Sequence, residues 1–424
     1  MLFLYNTAIR LSGLLIRLAS LWNPKARQWV AGRNSIFRKL ETSFAANTAP
    51  VVWFHCASLG EFEQARPLIE QLKSTEGNSK ILLTFYSPSG YEIRKNYGHA
   101  DWVFYLPLDT ESNARRLVEI VKPTLVYFAK YEFWHHYLHQ LKRQGIPVVL
   151  FSAIFRPGQL FFKPYGGFFR AMLRCFTHIF VQNAESERLL QGIGIQTVSV
   201  AGDTRIDRVI QIAAQAKAIP LAAQFKSGQP LLIIGSAWPG DTDLLVPFIN
   251  RFSGPLKVIL APHEITENAI RQMEKTLQKR TVRYSSASET TVSEADVLII
   301  DNIGMLGSLY QYGDFAYIGG GFIDGIHNIL EPAVFGMPVF FGPNYRKFQE
   351  AHDLIGLRAA FPVRDTAEFA AAFGPFHADA ELRRQAAQTS RDYIQQNAGA
   401  TGKIVSLPVR QAGFKKPKPG INIL

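Results

Sequence analysis

Short apolar runs alternate with helical segments along most of the chain. The runs that predict strands are residues 51–57, 81–85, 125–129, 148–152, 179–181 and 198–201 in the first half, and 231–234, 258–260, 297–300, 315–318 and 339–341 in the second. Continuous apolar strands with crossover helices between them indicate parallel sheets covered on both faces. We therefore predict an α/β protein with two Rossmann-like, doubly wound domains facing a central cleft at the carboxyl ends of their strands.

The same pattern sets the limits of the domains. We predict an N-terminal domain, a helix with a polar linker and a C-terminal domain over residues 23–205, 206–229 and 230–410. The last helices, at residues 381–396 and from residue 401 onward, are expected to cross back onto the first domain. Residues 411–424, which contain the run FKKPKPG, are predicted to be a loosely held basic tail.

Residues 1–22 predict an amphipathic helix. Polar or small residues recur there at intervals of four and three, which places them on one stripe: Asn6, Arg10, Gly13, Arg17 and Ser20. The two arginines would cost about 5–7 kcal/mol if the helix spanned a bilayer, whereas a helix lying flat keeps them among the headgroups. Five basic residues follow, and each adds about 1 kcal/mol of attraction to an anionic leaflet: Lys25, Arg27, Arg33, Arg38 and Lys39. Packing of this helix on its own domain is the alternative.

Composition agrees with a folded protein of two domains. The chain has 424 residues, of which 47% are hydrophobic and 19% are charged. Its net charge of +12 indicates an anionic partner, which could be nucleic acid, an acidic membrane or a phosphorylated substrate. The two cysteines, Cys56 and Cys175, have neither metal-ligand spacing nor a disulfide framework around them. A reducing, cytoplasmic setting fits best.

The second half contains a strand, a glycine run and a helix start between residues 314 and 343. The glycines Gly319–Gly321 and the N–H groups of a helix that begins near Asn328 together suit a phosphate. Phosphate would repel Glu331, so we expect that carboxylate to accept hydrogen bonds from the sugar hydroxyls of a nucleotide. In the alternative, the glycines only allow a tight turn and Glu331 only stabilises its helix.

The first half has two acidic candidates near strand ends. Gly60 is expected to allow a tight turn after the first strand, and Glu61 then falls at a helix N-terminus. There it could act as a general base or merely favour its own helix. Glu132, after the strand at 125–129, would line the same rim. A metal site is not expected among three nearby histidines, because no third ligand accompanies the i, i+4 pair, and exposure on a helix is the simpler interpretation: His135, His136 and His139.

Seven motifs in order resemble one family, the 3-deoxy-D-manno-octulosonic acid (Kdo) transferases. They are ASLGE at 57–61, YEFW at 131–134, GDTRID at 202–207, GSAWPGD at 235–241, APHE at 261–264, and GGGF and HNILEP within 319–332, after the N-terminal helix. The resemblance implies a GT-B fold and an inverting transfer of Kdo from CMP-Kdo to a lipid A precursor, lipid IVA, at the cytoplasmic face of the bacterial inner membrane. It implies no cofactor, no metal and no nucleic-acid partner.

The resemblance also assigns roles. Glu61 would be the general base of an acceptor-binding N-terminal domain, with the acceptor side formed by Ser58, Gly60 and Glu132. The C-terminal domain would bind the CMP-sugar through Ser236, His263, Gly320, Gly321, Asn328 and Glu331. Where the family commonly has Pro-Arg-His, this chain has Ala261-Pro262-His263, so another cation is required, and Arg205 is our candidate. Further departures are Trp238 in place of a histidine, His135-His136 in place of Pro-Asn, and a shifted arginine, Arg156.

Two other functions fit parts of the pattern. One is a GT-B transferase that uses a UDP- or GDP-sugar on another lipid or glycan. The other is a membrane-surface or nucleic-acid-binding module on a transferase fold without activity. The basic residues after the first helix lack the interleaved aromatic residues of a groove for single-stranded nucleic acid.

Overall fold

The computed structural model describes residues 1–75 and 77–411. The basic tail predicted at residues 411–424 lies outside these residues, apart from Gln411, where the last helix ends. The chain divides into two compact units. The first unit comprises Met1–Arg208 together with the chain from Ala398 onward, and the second comprises Val209–Asn397.

The first unit is built on a parallel sheet of seven strands in the order β3-β2-β1-β4-β5-β6-β7. The strands are β1 (Val51–Cys56), β2 (Lys80–Phe85), β3 (Trp102–Tyr105), β4 (Leu125–Ala129), β5 (Val148–Ala153), β6 (His178–Val181) and β7 (Val198–Val200). Successive residues of one strand enter two different cores: Trp53 packs on one face of the sheet and Phe54 on the other. Both faces are therefore buried, which is why these strands are continuously apolar.

Helices cover both faces of this sheet. They are α1 (Leu2–Ala19), α2 (Pro24–Arg33), α3 (Ile36–Phe44), α4 (Leu59–Thr75), α5 (Pro88–Arg94), α6 (Glu111–Val121), α7 (His135–Arg143), α8 (Gly167–Leu173), α9 (Ala184–Gln191) and α10 (Thr204–Ala214), with a 3₁₀ turn at Leu160–Phe162. Polar side chains cap several of them; Thr110 Oγ1, for example, accepts the Asn113 N–H at the start of α6.

The second unit repeats the architecture, with strand order β10-β11-β9-β8-β12-β13-β14. Its strands are β8 (Leu231–Ala237), β9 (Lys257–Pro262), β10 (Thr281–Arg283), β11 (Val297–Ile299), β12 (Phe315–Ile318), β13 (Val339–Phe341) and β14 (Ala360–Pro362). Its helices are α11 (Pro220–Lys226), α12 (Pro239–Arg251), α13 (Glu267–Thr276), α14 (Glu289–Glu294), α15 (Leu306–Leu309), α16 (Leu330–Phe335), α17 (Gln349–Gly356), α18 (Thr366–Ala378) and α19 (Ala380–Gln396), with 3₁₀ turns at Tyr284–Ser286 and Tyr310–Tyr312.

Two segments differ from the sequence-based prediction. Residues 206–229, predicted as one helix and a polar linker, contain the end of α10 and a second helix, α11. Of the two terminal helices, α19 belongs to the second unit, and α20 (Ala400–Gln411) belongs to the first. Asp207 accepts the backbone N–H groups of Gly399 and Thr401, both at 2.6 Å, and thereby holds the start of α20.

Helix α1 packs on the first unit through one face. Its buried residue is Gly13, where a Cβ would lie 2.6 Å from Leu108 Cδ1. The Tyr5 hydroxyl donates to the buried carboxylate of Asp109. Desolvation by burial raises the pKa of Tyr5, and the Asp109 charge raises it further. Two residues of the polar stripe, Asn6 and Gly13, therefore contact the first unit, as the alternative of a helix packed on its own domain predicts.

The other face of α1 is open to solvent. It carries large apolar side chains, and two more follow directly after the helix at Leu21 and Trp22. Those on the helix are Phe3, Leu4, Leu11, Leu14, Leu15 and Leu18. Arg10 and Arg17 are also exposed. Among the described residues, Leu2–Ala19 is the one helix long and apolar enough to cross a membrane by length and composition.

Candidate active site

Glu61 lies in the first turn of α4, directly after β1. Its Oε2 accepts the Ser58 N–H at 3.1 Å and also the Ser58 hydroxyl. In a helix capping box, the carboxylate in the first turn accepts the backbone N–H of the residue that precedes the helix, as Glu61 does here. Glu61 therefore stabilises its own helix, which was the alternative to a catalytic role. No hydrogen bond joins Oε1 to any described residue, and the side chain is half-buried. One carboxylate can therefore cap the helix through Oε2 and accept a substrate proton through Oε1.

Gly60 does not form the expected tight turn. It lies within α4, is exposed and has no positive φ angle. A Cβ at this position would contact only Ser58 Oγ, at 3.7 Å. The backbone therefore does not require glycine here. The absence of a side chain at Gly60 only leaves space beside Ser58 and Glu61.

Glu132 is buried, with 6% of its surface exposed, and is held by two neighbours. Its Oε2 accepts the Trp134 Nε1–H at 2.6 Å and lies 3.0 Å from His55 Nε2. His55 Nδ1 lies 2.9 Å from Thr84 Oγ1, which accepts the Trp53 Nε1–H at 2.7 Å. If His55 donates to Glu132 through Nε2, its Nδ1 accepts the Thr84 hydroxyl proton. This chain of bonds fixes the orientation of the Glu132 carboxylate.

The cation candidate Arg205 lies in the first unit, whereas the other donor-binding candidates lie in the second. Its Nε and Nη2 both donate to Asp203 Oδ2, at 2.9 and 2.7 Å. Burial of Asp203 raises its pKa, but the Arg205 guanidinium, the Arg205 backbone N–H and the Lys130 charge together outweigh burial, so the net pKa is lowered. Arg205 thus already neutralises a buried carboxylate. Its role toward a phosphate stays a prediction.

Residues around Tyr131 bring several of these groups together. Burial raises the pKa of the Tyr131 hydroxyl, the Arg156 guanidinium opposes this, and Glu61 and Arg205 also act on it. Lys130, just before Tyr131, has a left-handed backbone with φ 61°. A non-glycine residue in that region costs about 1–3 kcal/mol, and such residues cluster at functional sites. The carboxyl end of β4 is therefore a candidate functional region of the first unit.

In the second unit, Asp241 holds the glycine run in place. This buried carboxylate on α12 accepts the N–H of Gly320, the N–H of Trp238 and the Tyr317 hydroxyl, each at 2.9 Å. Burial raises the pKa of Asp241, and its three hydrogen bonds oppose that effect. The loop between β12 and α16 is thus tied to the start of α12.

The glycine run is explained largely by close packing. A Cβ at Gly319 would lie 2.2 Å from the Ser236 carbonyl oxygen, and one at Gly321 would lie 2.5 Å from Gly342 Cα. The Gly319 N–H donates to Gly235 O, and the Gly320 N–H donates to Asp241. Both N–H groups therefore have acceptors, and Gly320, with φ 92°, shapes the loop. The donor-binding role of Gly320 stays a prediction.

Asn328 and Glu331 lie at the start of α16 as predicted, where Asn328 Nδ2 donates to Glu331 Oε1 at 3.1 Å and Asn328 Oδ1 accepts the Leu330 N–H at 3.3 Å. Burial raises the pKa of the nearby Tyr310 hydroxyl, and the Glu331 charge adds to this. Glu331 therefore lies close to Tyr310, whose hydroxyl packs on Gly235. The two predicted side chains form one polar group at the carboxyl edge of the second sheet.

A cavity of about 290 Å³ opens at the same edge. Ser236, His263 and Asn302 line it with polar atoms, and apolar walls come from Ile265, Ile300, Ile303 and Leu306. Ser236 has a left-handed backbone with φ 54°, where the pairing of β8 with β9 shifts register. Burial lowers the pKa of His263, opposed by Glu264. The cavity thus combines predicted donor-binding residues with apolar surface for a flat ring.

Several residues of these sites carry no sequence signal that we recognised. His55 lies within an apolar strand, and its partner Glu132 is 77 positions away. His327 accepts a hydrogen bond from Trp238, which is 89 positions away. The three histidines of α7 are half-buried instead of exposed: His136 Nε2 donates to Asn6 at 2.6 Å, and His135 stacks on Phe168.

The chain is similar to known proteins both in sequence and in structure. A sequence family described as 3-deoxy-D-manno-octulosonic-acid transferase (kdotransferase) matches residues 33–208. The chain is 28% identical to 3-deoxy-D-manno-octulosonic acid transferase of Chlamydophila psittaci over 70% of each protein. It is 28% identical to the Aquifex aeolicus transferase, covering 76% of this chain and 84% of that one. For the Haemophilus influenzae transferase the identity is 25%, over 92% of this chain and 93% of that one.

Solved structures share the fold. MurG of Acinetobacter baumannii superposes with a TM-score of 0.55 and 14% identity, over 85% of this chain and 98% of that one. A UDP-GlcNAc 2-epimerase of Neisseria meningitidis superposes with a TM-score of 0.59 and 17% identity, over 84% and 98%. These likenesses and the two parallel seven-stranded sheets confirm the predicted GT-B architecture.

Proposed function

Since the chain belongs to the family of Kdo transferases and is a glycosyltransferase, we propose that it transfers Kdo from CMP-Kdo to a lipid A precursor, lipid IVA, with inversion at the anomeric carbon. The observation that carries the proposal is the arrangement of Glu61. Its Oε2 is fixed by Ser58, while its Oε1 has no partner among the described residues.

Glu61 acts as the general base. Oε1 takes the proton of a lipid hydroxyl as that oxygen attacks the anomeric carbon of Kdo from the face opposite CMP. The bond from the anomeric carbon to the phosphate oxygen breaks in the same step, and CMP leaves with its electron pair. A base positioned in this way contributes about 10²- to 10⁴-fold to the rate.

The second acidic candidate of the first unit, Glu132, positions the acceptor. Glu132 is fixed by Trp134 and His55, which leaves it little freedom to rotate. Held near the rim, this carboxylate would accept a hydrogen bond from a second acceptor hydroxyl. Ser58 and Gly60 complete the acceptor side as small residues that leave room beside Glu61.

The second unit binds CMP-Kdo. The 290 Å³ cavity, with Ser236 and His263 on its wall, takes the cytosine ring. Glu331, oriented by Asn328, accepts hydrogen bonds from the ribose hydroxyls. The phosphate then lies toward Gly321 and the start of α16. The alternative donors are UDP- and GDP-sugars, and binding of the free nucleotides CMP, UDP and GDP to the protein separates them. Binding of CMP alone supports the proposal, and binding of UDP or GDP alone rejects it.

Replacing Glu331 by glutamine is expected to weaken CMP binding about tenfold, because a hydrogen bond to a charged group contributes about 1.5–3 kcal/mol. Isothermal titration with CMP measures the change. Glu294→Gln is the matched control, since Glu294 is exposed on α14 of the same unit. Equal affinities of Glu331→Gln and the wild type would reject the ribose contact.

The exposed apolar face of α1 binds the surface of an anionic membrane at the cytoplasmic face of the inner membrane. Leu14 and Leu18 lie on this face, with 52% and 49% of their surfaces exposed. Arg10 and Arg17, also exposed, would reach the headgroups. Such a peripheral attachment places the acceptor side near its lipid.

Leu18→Glu is expected to reduce flotation with vesicles of phosphatidylglycerol and phosphatidylethanolamine at least threefold, because it puts a charge among the acyl chains. Leu357→Glu is the control: Leu357 lies in the second unit with the same exposed fraction, 49%. Wild-type protein that fails to float with these vesicles, or two variants that float equally, would contradict membrane binding through α1.

A further inference from the structure

Three aromatic rings form one group at the carboxyl edge of the second sheet. Trp238 precedes α12, His263 follows β9 and His327 precedes α16. The Trp238 and His327 rings are nearly parallel, with 2° between their planes and 6.4 Å between their centroids. His263 stacks on both, with centroids 4.2 Å from Trp238 and 4.6 Å from His327. This geometry limits the rotation of all three side chains.

The hydrogen bond within the group fixes the protons of His327. Trp238 Nε1 lies 2.9 Å from His327 Nε2, and an indole N–H can only donate. Nε2 is therefore the acceptor, and the proton of the neutral imidazole is on Nδ1. Burial lowers the pKa of His327 to about 4, and the neighbouring His263 adds to this, so the ring is neutral near pH 7.

The proton on Nδ1 of His327 has no acceptor among the residues that the structure describes. No described residue forms a hydrogen bond with Nδ1 of His327, and this atom is not among the buried unpaired atoms of the described chain. The ring lies against the glycine run, since a Cβ at Gly320 would come within 3.0 Å of His327 Cδ2. The backbone N–H of His327 donates to the backbone carbonyl oxygen of Gly319 at 3.0 Å. A fixed donor therefore faces solvent beside the loop expected to receive a phosphate.

We propose that His327 binds the donor nucleotide, its Nδ1–H donating to a phosphate oxygen, and that Trp238 is a positioning residue that fixes the required tautomer. The inference rests on the proposed use of CMP-Kdo. A donor oriented in advance stabilises the charge that develops on the leaving phosphate without reorganising as the bond breaks. His327 lies at the same edge of the sheet as Pro262, which has no side-chain donor and stands where an arginine is common in the resembled family.

The tautomer can be measured in the full-length protein labelled with ¹⁵N-histidine. The chain has ten histidines, and the signal missing from His327→Asn identifies His327. Long-range ¹H–¹⁵N spectra are expected to report a protonated Nδ1 and an unprotonated Nε2, with Nδ1 shifting when CMP saturates the protein. Trp238→Phe should give a mixture of tautomers. A wild-type His327 protonated on Nε2, or an Nδ1 signal that does not respond to bound CMP, would overturn the proposal.

Binding of CMP to four variants tests the coupling. The amide nitrogen of asparagine can replace Nδ1, whereas that of glutamine replaces Nε2. We expect His327→Asn to bind CMP within about threefold of wild type and His327→Gln about tenfold more weakly. Trp238→Phe should weaken binding about threefold, and it should have no further effect in the His327→Asn background.

Two outcomes of these titrations are decisive. If Trp238→Phe weakens binding equally with and without His327→Asn, Trp238 does not act through His327 and the proposal fails. If the wild type binds UDP but not CMP, the proposed donor is wrong. The same spectra and variants are then measured with UDP, and they decide whether Nδ1 of His327 donates to the nucleotide phosphate.

Discussion

Glu61→Gln is expected to lower the rate of Kdo transfer by about 10²- to 10⁴-fold while leaving CMP affinity unchanged, because the amide cannot take a proton. Glutamine keeps an acceptor for the Ser58 N–H, and it suits this capping position as well as glutamate does. The helix should therefore stay intact, and the loss can be assigned to chemistry. The measurement is the single-turnover rate with CMP-Kdo and lipid acceptor, together with titration of CMP.

Glu63→Gln is the matched control for this prediction. Glu63 lies on the same helix two positions further on, and it pairs with Arg94 and Arg208. Its replacement should leave transfer within about threefold of wild type, since exposed or half-exposed ion pairs contribute about 1 kcal/mol or less. A Glu61→Gln enzyme that retains wild-type turnover would refute the general-base role.

Asp241→Ala is expected to destabilise the protein by about 3 kcal/mol, since three donors would lose their buried acceptor. That corresponds to a fall in Tm of roughly 6–12 °C for a unit of this size. Freed from Asp241, the glycine run should also lose its position, and CMP binding should weaken at least tenfold. Thermal unfolding with and without saturating CMP measures both effects.

Asp243→Ala separates this effect from a general change of charge on α12. Asp243 lies on the same helix but is exposed, so its loss should shift the Tm by less than about 2 °C. Similar Tm values and CMP affinities for the two variants would contradict the view that Asp241 organises the glycine run.

The central strands of both sheets could be predicted because burial on two faces makes them continuously apolar. Residues 125–129, 315–318 and 339–341 agree with the structure residue for residue. The missed strands, β3, β10 and β14, lie at the edges of their sheets. Edge strands pair on one side only and are less buried: β10 is half-buried throughout, and so is most of β3. Their sequences therefore lack the pattern that identifies a central strand.

Some residues of the candidate site could likewise be predicted from the local sequence, and others could not. Glu61, Glu132, Asn328 and Glu331 could be found because each follows a strand or opens a helix within a short motif. Contacts between distant positions, such as His55 with Glu132, depend on strand order, which the local sequence does not contain. The glycine run was attributed to a ligand because the residues it packs against, Ser236 and Gly342, lie elsewhere in the sequence. The pairing of Arg205 with Asp203 was not predicted either, although only two positions separate them within one motif.

Transfer of Kdo to the lipid is the most direct test of the proposed function. Purified protein is incubated with a CMP-Kdo generating mixture and lipid IVA, and the lipid is analysed by mass spectrometry, with a second reaction containing Glu61→Gln. We expect the lipid to gain the mass of Kdo with the wild type and to be unmodified with the variant over the same reaction time. Unmodified lipid in the wild-type reaction, with the supply of CMP-Kdo demonstrated, would contradict the proposed donor and acceptor.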